Sequence, residues 1–141
     1  MSEERRSPKN PLISRLGAGH WEAAREGRLA IQHCSDCGQW VHYPSAICDN
    51  CLSTELRWDD TSGRGTVESF STVYRGFAPE FADDLPYTVA LVRLEEGINL
   101  LTWLVGVGPD EAEIGMPVEV EFERITDEIS LHRFHPVGAT R

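Results

Sequence analysis

All four cysteines of the 141-residue chain lie in one short segment, where they form two CxxC pairs separated by ten residues. Each CxxC turn can direct two thiolates at the same ion, and nearby backbone amides can donate hydrogen bonds to the sulfurs. Two such turns on facing hairpins supply the four soft ligands of a tetrahedral zinc site. Four protein ligands leave no position for water, so a site of this kind is structural. We therefore predict one structural zinc ion, bound by Cys34, Cys37, Cys48 and Cys51.

Other chemistry is less compatible with this spacing. A redox role fits a single CxxC pair better than two pairs at this distance. Iron in a rubredoxin-like centre remains the chemical competitor, because a tetrahedral set of four sulfurs suits both metals. His33 and His42 flank the cysteines, but neither is needed as a ligand, and we expect both to face solvent.

The sequence has no arrangement typical of a catalytic centre. It contains no GxSxG, HExxH or phosphate-loop pattern. Its five histidines are scattered, and none has a plausible nucleophile nearby in the sequence. We therefore predict no catalytic residue and assign no ligand-binding residue.

Composition and charge exclude several classes of partner. The chain is 40% hydrophobic and 26% charged, and its 23 acidic and 13 basic residues give a net charge of −10. Proteins hold phosphate backbones with clustered lysine and arginine, so this balance predicts no nucleic-acid partner. No stretch approaches the ~20 apolar residues of a membrane-spanning helix, which predicts no membrane partner. Free thiols and a polar start without a secretory signal favour a cytoplasmic protein.

The elements that must position the cysteines begin with a short helix. Residues 1–18 are predicted to form a flexible arm, because they include a charged, proline-containing start without a periodic pattern. A helix of two or three turns follows and ends at Gly27, which suits a left-handed cap. Apolar runs near Leu29 and Leu56 flank the cysteines, so residues 19–61 are predicted to form one unit of helix plus zinc ribbon.

The second half of the chain changes to strands rich in β-branched and aromatic residues. Five strands are predicted, at 66–74, 87–94, 99–105, 117–123 and 129–134. In the fourth, Val118, Val120 and Phe122 alternate with glutamates and share a face. Five short strands, with one polar link at 108–116 that could hold a helical turn, fit a closed OB-fold barrel over 62–138, whereas a β-sandwich needs about seven strands. The predicted fold is mainly β: a short N-terminal helix and a rubredoxin-like zinc ribbon, followed by a five-stranded OB-fold barrel.

Aromatic side chains are the candidates for an interface. A module of ~60 residues that is held together by a metal site rarely buries several large aromatic rings by itself. Trp21, Trp40 and Tyr43 are more large rings than such a small interior is expected to cover. A loop before the second barrel strand adds Phe77 and Phe81, in a segment without strand pattern. We predict that these five residues contribute to a partner interface, with ordinary packing inside the chain as the alternative. Two further aromatic residues are assigned to the core: Phe70 and Trp103.

The order of these motifs resembles the zinc-ribbon OB-fold family first described as domain of unknown function 35. The resemblance covers roughly residues 20–136 and rests on an ordered set of positions: Trp21, Gly27 to Leu29, the four cysteines with Gly38, Tyr43 and Pro44, Trp58, Ser62 to Val67, Gly115, Val118, Arg133 and Pro136. Two positions depart from the family pattern, since Leu52 stands where glycine is expected and His132 where proline is common.

Members of this family look like non-catalytic companions of acyl-CoA enzymes. The resemblance implies a hetero-oligomer with a thiolase-superfamily subunit: a thiolase, an acyl transferase or a retro-aldolase of steroid side chains. It further implies that the helix and ribbon dock on the enzyme and that the barrel lies near its acyl-CoA site. The alternative hypothesis is a stand-alone OB module that binds acyl-CoA or an acyl carrier. The sequence names neither the enzyme nor the acyl group.

Overall fold

The computed structural model describes residues 11–76 and 79–138 of the chain. Most of the predicted arm, residues 1–10, and the candidate interface residue Phe77 lie outside the described residues. Within the described part, a helix, a three-stranded sheet and a closed five-stranded barrel follow one another along the chain. This architecture confirms the predicted fold class.

The helix and the first sheet form the N-terminal half. Helix α1 spans Ala18–Arg25, and strands β1, β2 and β3 span Ala30–Cys34, Trp40–Val41 and Leu56–Asp60. The sheet is antiparallel with the order β2-β1-β3. Gly19 allows α1 to lie against β3, because a Cβ atom at this position would be 2.4 Å from the indole of Trp58.

The barrel is built from the five predicted strands. They span Arg64–Val73 (β4), Tyr87–Leu94 (β5), Asn99–Leu104 (β6), Pro117–Arg124 (β7) and Ser130–Pro136 (β8). The closed order is β4-β5-β6-β8-β7, in which β6 and β8 are parallel and the other pairs antiparallel. A short 3-10 helix, Pro79–Asp84, precedes β5. The link at 108–116 contains turns and no helix.

The barrel interior is the main hydrophobic core. Phe134 is fully buried at its centre, and Phe70 packs against the same cluster, as predicted. The predicted face of β7 is also correct, since Val118 is buried and Val120 and Phe122 pack on the core. The assignment of Trp103 to the core is corrected. Trp103 is only half-buried and lies on the outer side of β6, because its neighbours Thr102 and Leu104 are the residues that turn inward.

No helix in residues 11–76 and 79–138 is long and apolar enough to cross a membrane.

Candidate metal centre and partner surface

The four cysteine sulfurs meet between the two CxxC turns. Sγ of Cys34 lies 3.6 Å from Sγ of Cys51, and Sγ of Cys37 lies 3.6 Å from Sγ of Cys48. All four sulfurs lie within 4.8 Å of one another. A tetrahedral zinc ion with sulfurs at about 2.3 Å needs sulfur–sulfur separations of about 3.8 Å. The donor set and its spacing therefore fit a metal ion bound by four thiolates.

The two turns have the same backbone design. The N–H of Gly38 donates to the Cys34 carbonyl at 3.0 Å, and the N–H of Leu52 donates to the Cys48 carbonyl at 2.9 Å. Gly38 has a φ of +78° and Leu52 a φ of +65°. The second turn thus keeps the shape of the first and accepts the strain, about 1–2 kcal/mol, of a left-handed side-chain residue.

Asn50 supports the sulfurs from the second turn. Its backbone N–H lies 3.4 Å from Sγ of Cys48, and its side-chain Nδ2 donates to Sγ of Cys37 at 3.5 Å. The hydrogen bond from the Asn50 amide is the main reason why the pKa of the Cys37 thiol is lowered to about 6. The thiolate is the form that binds metals, so this contact favours coordination.

Both flanking histidines are partly buried and pack within the protein, which corrects the prediction that they face solvent. Nδ1 of His33 lies 2.8 Å from the carboxylate of Asp59, and its ring stacks on Trp40 with 4.0 Å between centroids. His42 is partly buried, with Nε2 shielded from solvent. The partial burial of His33 follows from the pairing of β1 with β2 and β3, because this register places Trp40 on one side of it and Arg57 on the other.

A cleft of about 210 Å³ opens where α1, the ribbon and the barrel meet; we call it the junction cleft. Its walls come from distant parts of the chain and include His20, Trp21, His42, Tyr43, Trp58 and Leu101. Tyr43 is 68% exposed and Leu101 54% exposed, so the rim presents apolar groups to solvent.

A second cleft, the barrel groove, runs along the outer face of β5, β6 and β8. Tyr87 stacks on Trp103 with centroids 4.2 Å apart, and the Arg133 guanidinium lies 4.3 Å from the Trp103 ring centroid. Arg133 is largely buried and pairs with Glu123 at 3.2 Å. The groove shares Trp21, Leu101 and His132 with the junction cleft, so the two clefts form one continuous surface.

Three of the five predicted interface residues line these clefts. Trp21 and Tyr43 line the junction cleft, and Trp21 also lines the barrel groove beside Phe81. Trp40 lines neither cleft, so its place in an interface stays a prediction. Sequence reasoning missed several other lining residues: His20, Trp58, Tyr87, Leu101, His132 and Arg133. For Tyr87 and Leu101 the only signal was an aromatic or apolar residue on a predicted strand, which is equally typical of a core. His20, Trp58, His132 and Arg133 carried no signal of their own for an interface.

Three histidines of the junction cleft have pKa values below the ordinary imidazole value. Burial lowers the pKa of His20, against a backbone hydrogen bond with Ala30 that raises it. Burial and the neighbouring His20 lower the pKa of His42. Burial, followed by His20, Arg133 and His42, lowers the pKa of His132 to about 3, and its Nδ1 lies 2.9 Å from Oγ1 of Thr102. The cleft therefore holds neutral imidazoles at neutral pH.

His132 is expected to make the fold less stable as the pH falls. Its folded pKa lies below its unfolded pKa, so the unfolded chain binds more protons below pH ~6.5, and stability declines from there toward pH 3. Linkage gives a loss of about 2 kcal/mol for this residue between pH 7 and pH 5. Urea unfolding of wild type and His132→Gln at both pH values checks this. Release of the metal at low pH destabilises both proteins, so the difference between them reports the contribution of His132. An equal loss of unfolding free energy in wild type and His132→Gln would contradict the prediction.

Comparison with known proteins gives concordant matches. A family model described as the rubredoxin-like zinc ribbon domain of ChsH2 matches residues 21–57, and one described as the C-terminal OB-fold domain of ChsH2 matches residues 58–123. A probable enoyl-CoA hydratase alpha subunit of Thermomonospora curvata is 40% identical over 89% of this chain. The match spans 39% of that relative's length.

Other relatives match over most of their length. A DUF35 domain-containing scaffold protein of Methanocaldococcus jannaschii is 38% identical over 83% of this chain and 84% of its own. The benzoylsuccinyl-CoA thiolase subunit BbsA of Geobacter metallireducens is 29% identical over 75% of this chain and 72% of its own. A solved structure described as Ltp2-ChsH2(DUF35) aldolase superposes with a TM-score of 0.81 at 40% identity, covering 89% of this chain and 98% of that one. With its zinc-ribbon and OB-fold regions in the family order, the chain belongs to the DUF35 family.

Proposed function

We propose that the chain is a non-catalytic accessory subunit that binds a thiolase-superfamily enzyme and supports its acyl-CoA site. The observation that carries the proposal is the continuous apolar and aromatic surface of the junction cleft and barrel groove. In a chain with a net charge of −10, such a surface is typical of a protein interface.

The names of the relatives support the class of partner. They include a thiolase subunit, an aldolase named for two components, and scaffold proteins. A thiolase, an acyl transferase or a retro-aldolase would each fit this class. We propose a cytoplasmic hetero-oligomer in which the barrel contacts acyl-CoA, and one structural zinc ion held by the four cysteines, with iron as the alternative metal.

Co-expression with an Ltp2-type aldolase subunit, and separately with a thiolase subunit, tests the proposal. We expect a stable hetero-oligomer with one of these enzymes in size-exclusion chromatography with light scattering. Elution of the chain apart from every thiolase-superfamily enzyme supplied would contradict it.

Trp21→Ala and Tyr43→Ala are expected to weaken the complex by at least tenfold. Large aromatic residues carry much of the energy of interfaces, and losses of 2 kcal/mol or more are typical of such positions. Titration calorimetry of the purified partners measures the change. Ile114→Ala is the matched control, because Ile114 is 71% exposed and lines neither cleft. Equal affinity of all three variants and wild type would place the interface elsewhere.

The isolated chain is expected to show no turnover of acyl-CoA substrates. Its four cysteines form a closed set of ligands, and the hydroxyl of Thr102, which lies 2.9 Å from Nδ1 of His132, is buried. Product formation is measured with the chain alone, with the partner alone and with the complex. Steady turnover by the chain alone at a rate comparable with the complex would contradict the prediction.

The alternative function is a stand-alone acyl-CoA-binding module. The barrel groove favours it, since the stack of Tyr87, Trp103 and Arg133 could hold a planar group beside a cation. Titration calorimetry of acetyl-CoA and of a long-chain acyl-CoA into the isolated chain separates the two functions. Tight binding without any enzyme favours the module, and binding seen only in the complex favours the accessory subunit.

A further inference from the structure

Leu52 has a backbone conformation that disfavours a side chain, and its side chain is nevertheless exposed. Its φ of +65° makes it the single non-glycine residue with a left-handed φ among residues 11–76 and 79–138. Leu52 is 69% exposed and lies outside the buried cluster of the ribbon. Within the chain, apolar burial therefore does not offset the strain of this conformation.

The equivalent position of the first CxxC turn shows that the fold does not require a side chain there. Gly38 has a φ of +78° and donates a backbone hydrogen bond to Cys34, as Leu52 does to Cys48. Glycine adopts this conformation without strain. Strained residues concentrate at functional sites, and an exposed leucine can serve such a site only by contact with another molecule.

Leu52 is one of three exposed apolar residues in the ribbon segment 43–52. Tyr43, which lines the junction cleft, is 68% exposed, and Ile47 is 41% exposed. The N–H of Cys48 donates to the Ser53 carbonyl at 2.8 Å, and this bond brings the backbones of Ile47 and Leu52 close together. The segment therefore carries exposed apolar side chains from the rim of the junction cleft to the second CxxC turn.

The charges beside Leu52 argue against a second copy of the chain as its occupant. The carboxylate of Asp36 accepts a hydrogen bond from the Ser53 hydroxyl, so an exposed negative charge lies next to Leu52. Asp49 adds a second exposed carboxylate in the same CxxC turn. Two copies that met at Leu52 would bring these charges together, in chains that each carry a net charge of −10.

The small area of the segment favours an extension of a larger interface. Three side chains cover much less than the ~800 Å² that each partner contributes to a stable interface. Tyr43 already belongs to the junction cleft, where we place the contact with the enzyme. An enzyme surface that covers the cleft and continues along the segment would reach Leu52.

We propose that Leu52 inserts into an apolar pocket of the partner enzyme, with lysine or arginine side chains at the edge of the pocket. This inference rests on the proposed function, because the pocket belongs to the thiolase-superfamily subunit. In the complex the leucine side chain leaves water, which offsets its backbone strain. Leu52 thus increases the affinity for the partner and lowers the stability of the free ribbon.

Replacement of Leu52 by glycine is expected to separate affinity from stability. Leu52→Gly should weaken binding to the Ltp2-type or thiolase subunit about tenfold, because the complex loses the burial of one leucine side chain. Its thermal midpoint should stay equal or rise, since glycine removes the strain. Titration calorimetry and thermal unfolding of the metal-loaded chain measure the two effects.

Three further variants separate the side chain from the backbone. Leu52→Asn tolerates the left-handed conformation and should lose affinity as Leu52→Gly does, whereas Leu52→Met keeps an apolar side chain and should retain most of it. Gly38→Leu puts the same side chain into the first turn, where a Cβ atom would meet nothing within 4 Å. It should lower the thermal midpoint without strengthening the complex, and an unchanged midpoint would remove the strain on which the inference rests.

Salt dependence tests the basic edge of the pocket. The affinity of the wild-type chain should fall as the salt concentration rises, and it should fall less steeply for Asp36→Asn. The same slope for both proteins would contradict the lysine or arginine side chains.

Equal affinity of wild type, Leu52→Gly and Leu52→Asn would overturn the inference and leave the proposed function standing, because the complex still forms. Loss of metal or a lower thermal midpoint in Leu52→Gly would also overturn it, since Leu52 would then be a structural residue of the ribbon. Dimers of the chain alone that Leu52→Asn abolishes would make the segment a contact between copies. Elution of the wild-type chain apart from every enzyme supplied would overturn the proposed function and this inference together.

Discussion

Replacing Cys48 by serine is expected to remove the bound metal and unfold the ribbon while the barrel stays folded. Cys48 is completely buried, and its sulfur lies 3.6 Å from that of Cys37. Cys34, Val41 and Cys48 form a small buried cluster, with Leu56 packed against it, so this part of the ribbon has few apolar contacts apart from the metal site. Metal binding by a structural four-thiolate zinc site contributes about 10–16 kcal/mol at neutral pH, and this energy is folding energy.

Elemental analysis and NMR measure the two parts of this expectation. Wild type should contain about one zinc ion per chain, and Cys48→Ser little or none, with dispersed signals lost for ribbon residues only. Asn50→Ala provides a graded comparison, since loss of the amide bonded to Cys37 is expected to lower metal affinity about 10–100-fold. Iron in the wild-type protein, or a folded ribbon without metal, would contradict the zinc assignment.

Phe134→Ala is expected to destabilise the barrel by about 3–5 kcal/mol without loss of metal. Phe134 is fully buried, lies opposite Val120 on β7 and Leu104 on β6, and fills the middle of the barrel core. Removing the ring leaves a cavity that the hydrogen-bonded strands on both sides cannot collapse to fill.

Urea unfolding followed by barrel NMR signals measures this loss, and elemental analysis measures metal retention. Tyr74→Ala serves as the control, because Tyr74 is 62% exposed and surface changes typically stay within about 0.5 kcal/mol. Taken with Cys48→Ser, the experiment tests the predicted division into units 19–61 and 62–138. Simultaneous loss of both parts in either variant would show one cooperative unit instead.

The local patterns of the sequence determined the candidate metal-ligating cysteines and the strands of the barrel. The CxxC spacing acts within one turn of chain, so the residues that must converge could be identified from their separation alone. The alternation of Val118, Val120 and Phe122 likewise assigned one face of β7 to the core, because successive strand residues point to opposite sides. Even Leu52 follows this local rule, since it keeps the turn shape of Gly38.

The partner surface was decided only by the tertiary structure. The walls of the junction cleft come from α1, from the ribbon strands β1, β2 and β3 with the segment that follows β2, and from the barrel strands β6 and β8. These elements meet only when the helix and ribbon pack on the closed barrel. Trp103 shows the difficulty, because its type suits a core, but the register of β6 turns it outward against Tyr87. His42 shows it as well, since the packing around its ring buries Nε2 without a partner. Residue type and spacing report local geometry, whereas the side of a strand that becomes an interface depends on what the rest of the chain leaves uncovered.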